Sequence, residues 1–261
     1  MRGAFLTLLI TGIAGAGIAA EPDYRVIPGG SFASVLPPDG KDAPAEVTGF
    51  RLRAEPVTNA EFLVFVRANP QWRRDRVARL FAEPRYLSHW TAADALGDAA
   101  APDQPVTQVS WFAARAYCAS EKARLPTWHE WEFAAKADAT RSDARVDPAW
   151  RERILGWYAR PSSAGLAPIG QGEANLWGVR DLHGLIWEWV EDYASLMVSA
   201  DNREQGDPDL LRFCGAGALS MQDRENYAVL MRVAMLSALK AVDTTRNLGF
   251  RCARDGLGAT P

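Results

Sequence analysis

Three stretches of the chain carry apolar residues at helical spacing directly after a capping signal. Thr58-Asn59-Ala60-Glu61 is a capping box followed by Phe62, Leu63, Phe65 and Val66 on one helical face, and Asn69-Pro70 closes the run. Ser110 precedes Trp111, Ala114, Tyr117 and Cys118, whose near-helical spacing predicts a second helix. Thr127-Trp128-His129-Glu130 is another capping box, and its helix runs on through Trp131, Phe133 and Ala134. Asn226 to Ala241, rich in Ala, Leu and Met, is a fourth helical candidate. Elsewhere the apolar residues come in short bursts broken by 21 glycines and 16 prolines. Tyr24 to Pro28, Gly49 to Leu52, Ile186 to Val190 and Leu248 to Cys252 read as short strands between turns. The elements do not alternate as a doubly wound sheet requires, so the pattern predicts an irregular α+β domain with little regular secondary structure.

The N-terminus breaks this pattern. Arg2 supplies a positive start, Phe5 to Ile18 is an apolar run, and Gly17, Ala19 and Ala20 precede charged Glu21. This is the signature of a secretory signal peptide over residues 1–20, with an uncleaved anchor as the other reading. The apolar run is shorter than the roughly 20 residues of a membrane span, so no span is expected after cleavage. The expected location is the periplasm or the exterior, with residues 21–261 forming one domain, because no linker, charge run or repeat divides them. Removing Arg2 leaves 28 basic and 32 acidic residues. That balance argues against nucleic-acid binding, which needs a basic face to displace counterions. Export changes the reading of the three cysteines: Cys118, Cys214 and Cys252 are too few and too scattered for zinc, and favour one disulfide and one odd thiol. Spacing alone does not choose the pair.

Several strings, read in order, point further. They are Pro56 to Phe62, Pro105 to Trp111, Arg124-Leu125-Pro126-Thr127 with Glu130-Trp131-Glu132, Asn175 to Gly178, Asp181-Leu182-His183-Gly184 with Trp187-Glu188-Trp189, and Asn247 to Cys252. Together they resemble the formylglycine-generating enzyme family, also called the sulfatase-modifying factor family. The resemblance implies a C-type-lectin-like α+β fold and a disulfide between Cys118 and Cys252, with Cys214 left over. It also implies structural calcium held by side-chain oxygens of Asp181 and Glu188 and backbone carbonyls of Gly184 and Ile186. Calcium takes six to eight hard oxygens, which carboxylates and loop carbonyls supply. The plainer reading is that Trp187-Glu188-Trp189 is a buried strand whose glutamate receives backbone donors, and Leu185 stands where the family usually has asparagine.

The chemistry departs from the family. Its enzymes oxidise a substrate cysteine to formylglycine with oxygen and copper(I) held by two cysteines five residues apart, a soft pair that suits this metal. Counting back from Asn247 places those positions at Ser220 and Glu225, and no Cys-x4-Cys occurs in the chain. Cys214, in Cys214-Gly215-Ala216-Gly217, is the candidate replacement, as a single copper ligand or redox thiol, against the plain reading of a small buried residue. Leu236 and Ala238 occupy places where the family carries a second arginine and a second serine, while Arg232, Ser237 and Lys240 remain. His89, His129 and His183 form no metal or triad motif, so structural roles are expected for all three.

Cys214 to Gly217, Asn226-Tyr227-Ala228 with Met231-Arg232, and Leu239-Lys240-Ala241 are similar to exported members that accompany copper nitrite reductases. A further exported branch, which matures the pyoverdine chromophore, also lacks the cysteine pair and uses an acidic residue, for which Glu225 is the candidate. The resemblance therefore implies an exported oxidative maturation or accessory factor for a protein or peptide, with Cys214, Ser220, Glu225 and Arg232 as the candidate catalytic set. The alternatives are a non-catalytic lectin-like binding module and a true formylglycine-generating oxidase acting on sulfatases. A monomer is the default state.

Overall fold

The computed structural model describes residues 22–38, 43–158, 165–196 and 227–256. The expected signal peptide and the positions Cys214, Ser220 and Glu225 lie outside these residues. Short strands and helices alternate irregularly, as the pattern predicts. Four strands come first: β1 (Tyr24–Ile27), β2 (Gly30–Phe32), β3 (Ala45–Val47) and β4 (Phe50–Arg53). Then come α1 (Asn59–Ala68), α2 (Trp111–Ser120), α3 (Trp128–Ala135) and α4 (Pro148–Tyr158). The chain returns through β5 (Trp187–Glu188), α5 (Tyr227–Ser237), β6 (Leu248–Gly249) and β7 (Ala253–Asp255). Among the described residues no helix is long and apolar enough to cross a membrane.

The helix starts follow from their caps. Both capping boxes form: Thr58 receives the Glu61 amide while Glu61 reaches back to the Thr58 amide, and Thr127 and Glu130 do the same. Ser110 accepts from the Ala113 amide at the start of α2. Asn69 ends α1, as the Asn-Pro step predicts. Helix α4 was not expected. Its signal was nonetheless present, since Pro148 occupies the first helical position and Asp147 Oδ1 accepts from the Ala149 amide at 2.9 Å. Strands β2, β3 and β7 were also missed, being only three residues each.

Strand β4 is the centre of a three-stranded antiparallel sheet, paired with β1 from Tyr24↔Arg53 to Ile27↔Phe50 and with β7 from Phe50↔Asp255 to Leu52↔Ala253. β2 and β3 form a separate antiparallel pair. The third sheet is a two-residue parallel pair, Trp187↔Leu248 and Glu188↔Gly249. Gly249 permits it: a Cβ there would lie 2.2 Å from the Val106 carbonyl oxygen. That contact carries the last strand region between β5 and the segment before α2. Phe62, Tyr117 and Phe250, from α1, α2 and the end of β6, pack ring on ring at 5.4–6.0 Å between them. Cys118 and Cys252 are joined across the same core, with their Cα atoms 5.5 Å apart and 134 positions between them in sequence.

Candidate functional site

The β5–β6 pair sets Glu188 opposite Gly249, two positions before Arg251, and the two side chains form a wholly buried ion pair, 2.8 Å at closest approach. Arg251 donates through Nε to both Glu188 oxygens and through Nη2 to Glu188 Oε1, and its remaining N–H groups go to the carbonyls of Arg53, Ala54 and Arg180. Trp131 on α3 donates its indole N–H to Glu188 Oε2 at 2.9 Å. The guanidinium therefore joins β4, the 180–188 segment and the last strand around one carboxylate. A fully desolvated charge pair is tolerated only with this degree of satisfaction.

Arg232 of α5 is buried against the same cluster. Its guanidinium carbon stands 3.6 Å from the centroid of the Trp131 ring, and Nη2 donates to the Glu188 carbonyl at 2.5 Å. Of the four expected catalytic residues it is the one among the described residues, and these contacts give it a positioning role for α3 and β5. Ser237 bonds back to the Val233 carbonyl, and the Lys240 amide caps onto Asp243, so both serve the end of α5. Leu236 is core, and Ala238 is exposed.

Each of the two expected calcium carboxylates has protein partners of its own. Glu188 is committed to Arg251 and Trp131, and Asp181, at φ 58°, accepts from the Gly170 and Gly172 amides at 2.5 and 3.1 Å. Among the described residues no three His, Cys, Asp or Glu side chains cluster closely enough for a metal ion. The carboxylate half of the donor set does not fit calcium in this geometry, because Glu188 already balances a guanidinium and Asp181 already satisfies two amides. A copper(I) dithiolate does not fit either: the disulfide consumes two of the three cysteines and leaves Cys214 as a single thiol.

Asp181, His183 and Gly184 line a cleft of about 210 Å³ together with Trp150, Trp157 and Glu173. His183 lies edge-on to Trp131 and Trp150 and donates through Nε2 to the Ala135 carbonyl at 3.0 Å. Burial pushes its imidazole down to about 4, so it is neutral at pH 7. His129 likewise faces the Leu36 carbonyl. Both have the structural roles the sequence suggested.

The sulfatase-modifying factor enzyme 1-like domain, as a family profile, matches residues 15–256. The chain belongs to this family. An inactive Cα-formylglycine-generating enzyme 2 from Mus musculus is 29% identical to it, over 91% of this chain and 87% of that protein. The formylglycine-generating enzyme of Streptomyces coelicolor is also 29% identical, over 88% of each. Hercynine oxygenase of Mycobacterium tuberculosis is 31% identical over a shorter stretch, 56% of this chain and 38% of that one.

In the sequence Trp131 and Arg251 stand out only as members of the family strings. Their pairing with Glu188 needed the fold, because 57 and 63 positions separate them from it.

Proposed function

We propose that the protein is an exported oxidative maturation or accessory factor of the formylglycine-generating type, acting on a protein or peptide by altered chemistry. The observation that carries this reading is the family match over nearly the whole chain, coupled with cysteine chemistry that leaves one thiol, Cys214. The family match spans residues 15–256, while the dithiolate has no second sulfur. Cys214, Ser220 and Glu225 are the residues to act on substrate, with Arg232 positioning α5. The similarity of the 214–217 and 226–241 strings to nitrite-reductase accessory proteins makes an exported copper nitrite reductase the first partner to try.

A second reading is a binding module whose catalytic site has been lost. It is favoured by the relative named as inactive, which aligns with 91% of this chain. One experiment separates them. The purified mature protein is incubated in oxygen with a copper nitrite reductase and, separately, with a cysteine-containing sulfatase peptide, and intact masses are followed. A mass change in the reductase that Cys214→Ser or Glu225→Gln abolishes supports the maturation factor. A stable complex without any mass change supports the module, and conversion of the peptide cysteine would make the chain a true formylglycine generator.

A further inference from the structure

The segment from Trp72 to Tyr86 is fastened to the body of the protein at both ends. Tyr86 donates its hydroxyl to the Trp72 carbonyl at 3.0 Å, and the Arg74 guanidinium reaches the Leu87 and Trp90 carbonyls at 3.0 and 2.9 Å. Further along, the Glu83 carboxylate accepts from the Thr244 amide and hydroxyl, both at 2.7 Å, and the Glu83 amide goes to the Val242 carbonyl. Between these anchors two turns close in succession. The Arg76 and Val77 amides meet the Arg73 carbonyl, and the Phe81 and Ala82 amides meet the Ala78 carbonyl. What this well-anchored segment holds out to solvent is apolar: Leu80 is 73% exposed and Phe81 39%.

Phe81 is one ring in a row. It stands 6.0 Å from Trp72 and 5.3 Å from Phe112, Phe112 stands 5.4 Å from Trp111, and Trp111 stands 5.8 Å from Tyr193, centroid to centroid. Trp72, Phe112 and Trp111 are each half-buried, so each keeps part of its surface in water. The guanidinium carbon of exposed Arg115 lies 5.2 Å over the Trp111 ring. Single exposed apolar residues are ordinary, but contiguous aromatic side chains bordered by arginine have the make-up of an interface centre.

The charge around the row selects what covers it. Residues 73–85 hold five arginines and two acidic residues, a balance of +3, in a mature chain of 28 basic and 32 acidic residues. Among the described residues the exposed Arg76 and Arg79 guanidiniums make no hydrogen bond or ion pair, and Arg79 directly precedes Leu80 and Phe81. An anionic membrane is the poorer match. Asp75 and Asp94, 49% and 43% exposed, both pair with Arg73 in this segment and would meet the lipid charge as well. A single chain segment can set its carboxylates on the arginines alone.

We propose that the row Trp72, Phe81, Phe112 and Trp111, with the Arg76 and Arg79 guanidiniums, is a docking surface for an acidic segment of a partner protein that carries an aromatic or large aliphatic side chain. That side chain packs beside Leu80 and Phe81, and neighbouring carboxylates pair with the two arginines. Only the choice of a protein as occupant rests on the reading of the chain as acting on a protein or peptide. No bond is made or broken.

The test titrates the full mature protein in a calorimeter with random copolymers, which offer the chemistry in many registers. Glutamate–tyrosine copolymer should bind saturably and at least tenfold more tightly than polyglutamate, and lysine–tyrosine copolymer should not bind. Arg76→Gln/Arg79→Gln and, separately, Phe81→Ser should each weaken binding at least tenfold with the melting temperature unchanged; Leu80→Ser takes the place of Phe81→Ser if that variant melts early. Equal binding of polyglutamate, binding that survives the arginine changes, or no binding of the glutamate–tyrosine copolymer would each overturn the proposal. Uptake by phosphatidylglycerol vesicles without binding of the copolymer would make this a lipid surface and overturn it too. Copolymer binding without any mass change in the reductase assay would leave the surface standing and remove the maturation reading. A mass change without copolymer binding would do the reverse.

Discussion

Glu188 and Arg251 face each other with no solvent access, 63 positions apart in sequence, and every other donor on the guanidinium ends on a backbone carbonyl. Removing one partner strands the other. Glu188→Leu is expected to cost about 3–5 kcal/mol, read by urea unfolding, because it leaves a buried guanidinium uncompensated. The double variant Glu188→Leu/Arg251→Met should recover part of that loss. If the double change costs as much as the two single changes added together, the pair is not coupled as the geometry shows.

The disulfide contributes through the unfolded chain. Closing a loop of 134 positions corresponds to about 5 kcal/mol in the chain-entropy account. Cys118→Ser/Cys252→Ser should lose several kcal/mol, and dithiothreitol should lower the melting temperature of the parent but leave the double variant unmoved. An unchanged melting temperature in reductant would mean that the bridge is absent in solution.

His183 makes the fold sensitive to acid. Its folded value is depressed to about 4 against 6.5 for the free ring, so the stabilisation is present above pH 6.5 and is lost as pH falls through 6.5 toward 4. The full swing is about 3 kcal/mol at most, at 1.36 kcal/mol per unit. His183→Phe should flatten the stability profile across that window. Glu132 acts in the opposite sense: burial raises its carboxyl despite the Ser34 hydroxyl and Val35 amide bonded to it, so its contribution is present at low pH and lost as pH rises. Glu132→Gln should therefore steepen the net acid loss, and a Glu132→Gln profile that becomes shallower would contradict this assignment.

Arg232 over Trp131 should matter more than its neighbours on α5. Arg232→Met removes a desolvated cation–π contact and a charge-assisted bond to the Glu188 carbonyl, for an expected loss of about 2 kcal/mol or more. Ser237→Ala, which removes only a back-bond within the helix, should change stability by less than about 0.5 kcal/mol. Equal effects in thermal melts would show that Arg232 serves as an ordinary helix residue.

What could be read from the chain was local. Thr58, Ser110 and Thr127 each satisfy amides within three residues, so their helices and starts were legible without any tertiary information. Strands of three residues such as Ala45–Val47 carry too few positions to show alternation, and they exist because a partner fixes their register. The site was less legible. Glu188 looked like a metal oxygen or a buried acceptor with equal right, and only the approach of Arg251 and Trp131 decides how its charge is used.

The bridge between Cys118 and Cys252 also makes one covalent ring of everything from the second half of α2 to the last strand. A cut at any exposed peptide inside that ring leaves both fragments attached until reductant is added. The sheet centred on β4 draws strands from both sides of the ring closure, so its two ends are held whatever lies between them. Changes in the length of chain inside the ring alter the entropy of its closure only slowly, as the logarithm of the loop length. A ring of this kind holds its ends together whatever the length of chain between them.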